Sequence, residues 1–180
     1  MKQFFKTTLL AVTTTLLSFN ATAQDDLVTK AAHIKFYSEE GGITANNYAV
    51  VSKLNTKTGE MIFSAPIQSF EFENATMQKH FNQEGIMNSQ SFPKGKFVGK
   101  IDNISNIDLS KDGEYDVTVS GKLTIKGKTN DVSTKGKIIV KDGKIMASSK
   151  FTIDRFAYGV EGKSQSVSQH IDLTINATFK

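Results

Sequence analysis

A strict alternation of polar and apolar residues between Tyr115 and Ile125 constrains the fold of this chain more than any other feature. Every second residue there is apolar or glycine, which is the period of a β-strand with one dry face and one wet face. The same alternation recurs over residues 132–138 and 171–179. This repetition predicts several strands that enclose a common apolar interior.

Patterning and turn residues together predict eight strands. Residues 111–113 and 141–144 have the composition of Asp-Gly hairpin turns, and residues 56–59 form a further hairpin-like turn. Pro66 lacks an N–H for the ladder, so it should lie at a strand end, an edge or a bulge. Eight antiparallel strands in a meander close into a barrel, whose interior is either filled by side chains or able to hold one small ligand. The predicted strands span residues 32–38, 47–55, 60–67, 96–104, 114–126, 131–140, 144–155 and 169–179.

A short helix is predicted to interrupt the strands at residues 74–82. Asn74 is a favourable N-cap residue, and Met77 and Phe81 are four residues apart, on one face of a helix. The flexible and aromatic apolar residues of this region either line a pocket mouth, because methionine adapts to variable shapes, or plug one end of the barrel. These residues are Met77, Phe81, Ile86, Met87 and Phe92.

The first 23 residues have the pattern of a signal peptide. Lys2 and Lys6 precede an apolar run over residues 7–17, and residues 21–23 form a small-x-small cleavage site. The apolar run is too short to span a membrane, which needs about 20 residues. The prediction is therefore one exported domain of residues 24–180 that does not span the membrane and is periplasmic or secreted.

Composition excludes several classes of function. The chain has no cysteine, which rules out a thiolate zinc site and thiol catalysis. The formal net charge of +4 falls by two when the signal peptide is removed, and Arg155 is the only arginine. Because a nucleic-acid surface needs clustered basic residues with stacking aromatics, no nucleic-acid partner is predicted. A membrane-embedded barrel is disfavoured because the chain lacks tryptophan for the interfacial aromatic girdles.

Three predicted strands carry a glycine on their apolar face, at Gly99, Gly121 and Gly136. If neighbouring strands align these positions, the missing side chains would leave an apolar cavity suited to a hydrophobic tail. Alternatively, the glycines mark bulges or barrel corners, where glycine relieves the twist of the sheet. The residue pattern leaves both interpretations open.

The sequence offers few groups for chemistry. The only histidines are His33, His80 and His170, and none is spaced from another histidine or a carboxylate as in a metalloprotease helix. The chain also lacks the Gly-x-Ser-x-Gly motif of a nucleophile elbow. No catalytic residue, metal or cofactor is therefore predicted, and a lipid-modifying activity that uses His80 is the one enzymatic alternative. Arg155 at a strand end either contacts a ligand head group or forms a structural ion pair that closes the following loop.

Three segments of the chain carry a family pattern. They are the helix with its exit (residues 77–93), the strand pair 119–132, and residues 151–160. The strand pair contains the signature Gly-x-Leu-Thr-Ile-x-Gly-x-Thr-x-x-Val, which begins at Gly121. In order and spacing, these segments resemble the YceI-like family of exported lipid- and polyisoprenoid-binding proteins.

The resemblance implies a lipocalin-like, eight-stranded antiparallel barrel with a helical insertion beside its opening. It implies that the lumen holds a long amphiphile, and it favours the cavity interpretation of the three glycines. His80 and Arg155 are the predicted head-group contacts. The full set of predicted ligand contacts is Phe63, Met77, His80, Phe81, Met87, Phe92, Phe97, Gly121, Leu123, Phe151 and Arg155.

The function predicted from the sequence is a non-enzymatic periplasmic binding or carrier protein. Its ligand would be a polyisoprenoid, an isoprenoid quinone or a fatty-acid derivative. The alternative is an exported structural or interaction module with a packed barrel, which binds another protein through its loops. A homodimer is left open by the sequence.

Overall fold

The structure is a computed structural model that describes residues 25–162 and 166–180. The predicted signal peptide, residues 1–23, and the predicted first residue of the exported chain, Gln24, lie outside the described residues. The described part contains one α-helix, α1 (Ala75–Asn82), and nine strands. The strands are β1 (Asp26–Ser38), β2 (Ile43–Asn55), β3 (Glu60–Pro66), β4 (Glu71–Phe72), β5 (Lys94–Ile101), β6 (Gly113–Ile125), β7 (Lys128–Lys141), β8 (Lys144–Asp154) and β9 (His170–Phe179).

Eight of these strands close into an antiparallel barrel. Each pairs with its neighbours in the order β1-β9-β8-β7-β6-β5-β3-β2, and β1 also pairs with β2, which completes the circle. The two-residue β4 pairs with β2 beyond the end of the β2–β3 pairing. The predicted eight-stranded barrel with one short helix is therefore confirmed.

The bounds of β1 and β2 differ most from the prediction, and β5 ends at Ile101 rather than at residue 104. β1 begins six residues earlier than expected, and β2 begins at Ile43 rather than residue 47. The two strands pair from Asp26↔Asn55 to Ser38↔Ile43, with register shifts on both sides of Ala32. Such bulges break the two-residue period, so the alternation that identifies a strand in sequence is lost at this point.

Only some of the turns agree with the prediction from sequence. Asp142 and Gly143 have positive φ angles of 51° and 70° and join β7 to β8, as the Asp-Gly pattern predicts. Pro66 ends β3, as expected for a residue without an N–H. The predicted hairpin turn at residues 111–113 is wrong, because the connection runs from residue 102 to 112 and includes a 3₁₀ turn at Ile104–Asn106.

Helix α1 lies in the long connection between β4 and β5. Asn74 caps it, because its side-chain oxygen accepts hydrogen bonds from the backbone N–H groups of Thr76 and Met77 at 2.7 and 3.4 Å. None of the eight helical residues is buried. The helix thus lies on the rim of the barrel, and the chain that follows it turns inward.

Two apolar clusters occupy the two ends of the barrel. The larger includes Leu54, Ile101 and Phe179, and the partly buried Ile104 and Ile107 of the 102–112 connection pack against it. The smaller lies at the end that carries α1. Its buried members are Ala45, Ile67, Phe70 and Met87.

Candidate functional site: an apolar cavity in the barrel

The barrel encloses a cavity of about 870 Å³. This volume lies near the upper end of the roughly 300–1,000 Å³ that small-molecule pockets usually occupy. Its walls include Met61 and Ile138 from the larger apolar cluster, and Ile67 and Met87 from the smaller one. The lumen of this barrel is therefore not fully packed, and the empty space lies between the two clusters.

The middle of the cavity wall is a row of large apolar side chains. Phe63 on β3 is directly opposite Phe97 on β5, which in turn is opposite Leu123 on β6. All three line the cavity, as does Phe151 on β8. Because side chains alternate across a strand, the same register places Lys122 and Lys150, beside Leu123 and Phe151, on the outside of the barrel.

The end of the cavity near α1 is lined by four phenylalanines. The ring of Phe81, on the helix, lies 4.9 Å from that of Phe72, 5.6 Å from that of Phe70 and 6.4 Å from that of Phe36, measured between centroids. Tilted and edge-on arrangements at these distances are favourable for aromatic pairs. This cluster fixes the helix to the barrel and forms an apolar collar around the opening.

Met77 and His80 lie at the outer edge of this collar. Met77 is 40% exposed and His80 is also exposed, and both line the cavity. In the part of the chain that the structure describes, the His80 side chain has no hydrogen bond to another side chain that would orient it for catalysis. The residues of the helical region thus serve both predicted purposes, since Phe81 and Met87 fill the barrel end while also lining the cavity.

Nine of the eleven predicted contact residues line the cavity. They are Phe63, Met77, His80, Phe81, Met87, Phe97, Leu123, Phe151 and Arg155. Their position is thus as expected, and their contact with a ligand stays a prediction. Phe92 and Gly121 are not part of the cavity wall.

Gly121 does not create empty space. It lies opposite Gly99 on β5, and a Cβ atom added to it would be 2.5 Å from the Gly99 Cα and 2.8 Å from Cζ of Phe97. A Cβ on Gly99 would meet the Ser120 carbonyl oxygen and the same Phe97 ring. The ring thus covers both glycines, which allow the two strands and this ring to approach closely.

The cavity interpretation of the glycines is therefore wrong. Gly136 also marks a close approach, because an added Cβ would lie 2.8 Å from the Ser148 carbonyl oxygen. Phe92 packs instead against the turn between β6 and β7, where an added Cβ on Gly127 would lie 2.8 Å from its Cε1 atom. Phe92 therefore contacts this turn and is not part of the cavity lining.

The wall of the barrel is incomplete between β7 and β8. Their pairing runs from Lys141↔Lys144 only as far as Gly136↔Ser149, so residues 128–135 and 150–154 diverge towards the end that carries α1. The 3₁₀ turn Arg155–Tyr158 lies beside this divergence, held there by a 3.1 Å hydrogen bond from Asn130 Nδ2 to the Ala157 carbonyl. The turn brings Arg155 to the cavity.

Arg155 is a buried cation in the cavity wall, with only 5% of its surface exposed. Its Nε atom donates to the Ser168 carbonyl at 3.0 Å and its Nη1 atom to the Val160 carbonyl at 2.7 Å. Nη2 donates to the Val167 carbonyl at a longer 3.4 Å, and the guanidinium carbon lies 4.3 Å from the centroid of the Phe156 ring. Arg155 thus closes the following loop through backbone carbonyls and not through the ion pair considered from sequence.

Burial lowers the pKa of Arg155 from its ordinary value. The carboxylates of Asp154 and Glu40 act in the opposite direction, with a smaller effect. Arginine is nevertheless charged under all physiological conditions. The cavity therefore has one buried positive charge in an otherwise mainly apolar wall.

Several cavity residues were missed from sequence. Ile34 and Phe36 of β1, and Ile67, Phe70 and Phe72 of the connection after β3, all line the cavity. The alternation of Ile34 and Phe36 with polar residues could have indicated that both side chains point into the barrel. The connection gave none, because residues 67–69 form a 3₁₀ turn, in which the period of two is absent.

Comparison with known proteins agrees with this geometry. The sequence model of the YceI-like domain family matches residues 14–179 of the chain. No protein of curated function shows significant sequence similarity to it. Within residues 25–162 and 166–180, no helix has the length and apolarity that a membrane crossing requires.

Three solved structures show the similarity of the fold. A polyisoprenoid binding domain from Saccharophagus degradans has a TM-score of 0.75 at 12% identity, over 87% of this chain and 98% of that one. BcnA from Burkholderia cenocepacia has a TM-score of 0.70 at 15% identity, over 84% and 98%. The YCEI protein of Campylobacter jejuni has a TM-score of 0.59 at 19% identity, over 100% and 93%. At identities this low, the similarity establishes the barrel fold alone.

Proposed function

The chain belongs to the YceI-like family, and from this premise we propose that it is a non-enzymatic binding or carrier protein for a long-chain amphiphile held in the barrel. The candidate ligands are a polyisoprenoid, an isoprenoid quinone or a fatty-acid derivative. The similar domain from Saccharophagus degradans is described as polyisoprenoid binding, which supports this class of ligand.

The apolar cavity is the observation that carries the proposal. An 870 Å³ space bounded by phenylalanine, isoleucine, leucine, valine and methionine side chains offers a hydrocarbon chain a dry environment. Burial of each CH₂ group contributes about 0.8 kcal/mol. A chain of ten such groups would thus gain about 8 kcal/mol before the entropy of binding is subtracted.

The two alternatives have less support. An interaction module with a solidly packed barrel does not account for the cavity between the two apolar clusters. A lipid-modifying activity would need a partner that holds and polarises His80, yet this exposed side chain has no such partner among the described residues. Binding without chemistry therefore explains the geometry with the fewest additional assumptions.

The site of action that we propose is the periplasm or the extracellular space. The pattern of residues 1–23 supports this proposal, since it combines positive charge, a short apolar run and a cleavage site. A carrier outside the cytoplasm would shield the apolar chain of its ligand from water during transfer.

A native mass spectrum of the protein purified from its host tests both parts of the proposal. We expect a polypeptide that begins at Gln24 together with an additional mass in the range of a lipid, which is released under denaturing conditions. A polypeptide that retains residues 1–23 would contradict the proposed export. Protein without additional mass that also fails to take up an added isoprenoid or fatty acid would contradict the carrier function.

A further inference from the structure

Arg155 has no carboxylate partner in this chain. The six ion pairs of the described residues all use lysine. Residues 1–24 and 163–165 contain none of the 18 aspartates and glutamates of the sequence, so every carboxylate side chain lies within the described ranges. The chain therefore forms no salt bridge to this buried charge, and the carboxylates of Asp154 and Glu40 act on it only from beyond ion-pair distance.

A buried charge without an ion-pair partner is unusual. Charged side chains are almost never fully buried unless they are paired, because the loss of hydration is costly. Three backbone carbonyls and the face of the Phe156 ring compensate for part of the lost hydration. They carry only partial charges, so the guanidinium group keeps a positive charge without an ion-pair partner, which favours an anion.

The guanidinium group also has hydrogen-bonding capacity left. It has five N–H donors in a planar fork, and its hydrogen bonds to Ser168, Val160 and Val167 use one donor on each nitrogen. One N–H on Nη1 and one on Nη2 have no acceptor among the residues that the structure describes. Carboxylates and phosphates bind such pairs of donors with two parallel hydrogen bonds.

None of the other charged groups near this position forms an ion pair with Arg155. Glu40 acts on its charge but is exposed to water, which screens it. Asp154 is engaged by the Gln169 side chain and the Phe156 N–H. Glu161 lines the cavity but is exposed, so water screens its charge. Lys126 adds positive charge on the same side, with its Nζ atom 3.0 Å from the Gly159 carbonyl oxygen.

The geometry points to an anionic head group, a carboxylate or a phosphate, that binds Arg155 while the apolar chain of the same molecule occupies the cavity. This inference rests on the proposed function and deepens it, because it selects acidic amphiphiles over neutral ones such as alcohols and quinones. Arg155 thus has two roles, to close the loop after β8 and to select the charge of the ligand.

Ligands of one chain length and different head groups test the inference on the unaltered protein. Hexadecanoic acid, hexadecyl phosphate and hexadecan-1-ol are titrated below their aggregation limits at pH 8, where the carboxylic acid is ionised in water. Hydrogen bonds to charged groups are worth enough to predict a preference of about tenfold or more for the two anions over the alcohol. The ratio of the acid to the phosphate then shows which anion fits better.

Variants connect this preference to Arg155. Arg155→Gln should bring the acid and the alcohol to within about twofold of each other, whereas Arg155→Lys should restore part of the preference because it keeps the charge. Lys100→Gln removes one exposed positive charge away from the cavity and should leave the preference unchanged. Because Arg155 also closes a loop, circular dichroism must show that each variant is folded.

The outcomes separate this inference from the function on which it rests. Equal binding of acid and alcohol by the unaltered protein overturns the anionic head group but leaves a carrier of apolar chains. Binding of none of the three ligands contradicts both. A folded Arg155→Gln variant that retains the full preference for the anions also overturns the inference, since another group would then select the charge.

Discussion

Replacement of Val119 by phenylalanine is expected to lower the affinity for a hexadecyl chain about tenfold or more. Val119 lies on the inner face of β6 and lines the cavity, so the larger ring would extend into the space that the ligand needs. If the ring displaces only two CH₂ groups, at about 0.8 kcal/mol each, the loss is roughly tenfold. The measurement is a fluorescence competition titration with a hexadecyl ligand.

Thr118→Phe is the matched control for Val119→Phe. Thr118 is the preceding residue of the same strand, is exposed, and does not line the cavity. The same ring on the outside of the barrel should leave the affinity unchanged. If Val119→Phe binds as tightly as the unaltered protein, or if both variants lose affinity equally, the ligand does not occupy the cavity beside β6.

Gly121→Ala is expected to lower the free energy of unfolding by about 2 kcal/mol or more, which lies in the range of overpacked cores. The added methyl group would lie 2.5 Å from both the Gly99 Cα and the Val98 carbonyl oxygen, and these backbone atoms move only if the strands separate. Urea unfolding at an unchanged m-value measures the effect.

Gly95→Ala is the control for this effect. Gly95 lies on β5, as does Gly99, but an added Cβ there would be 3.5 Å or more from its nearest neighbours, an ordinary contact distance. Alanine at this position should be neutral or slightly stabilising, because it reduces the entropy of the unfolded chain. Equal stability of the Gly121→Ala and Gly95→Ala variants would show that the two strands do not approach closely at Gly121.

The strands of this protein are predictable from sequence where one face is dry along the whole strand. β6 and β9 illustrate this, because each keeps its register along its paired length. The first part of β1 was not predictable, since the register shifts around Ala32 move its apolar residues out of the period of two. The long connection from residue 102 to 112 was not predictable either. Asp112 and Gly113 have the composition of a hairpin turn, but in the structure they lie at the end of this connection and do not form one.

The candidate site was predictable where it is built from regular strands. Phe63, Phe97 and Leu123 line the cavity because alternation fixes the face on which each lies. Alternation also places Gly121 on the inner face, but it does not reveal that the Phe97 ring folds over that glycine. A missing side chain in the sequence is thus not the same as a space in the structure.

The partners of Arg155 illustrate a different limit. They are carbonyl groups of Val160, Val167 and Ser168, and backbone acceptors leave no mark in a sequence. A search for acidic residues near position 155 therefore suggests an ion pair that the fold does not make. Only the three-dimensional path of the chain after β8 shows that the charge lies beside an apolar cavity.

Contacts between a bound chain and the inside of the barrel test the central claim most directly. With unlabelled hexadecanoic acid and protein that is ¹³C-labelled at its methyl groups, isotope-filtered NOE spectra should connect the ligand methylenes to Leu123 and Ile175, which line the cavity. They should show no contact to Val98 and Ile62, which are exposed on the outer face of the barrel. Contacts to Val98 and Ile62 without any to Leu123 and Ile175 would place the chain outside the barrel and contradict the account.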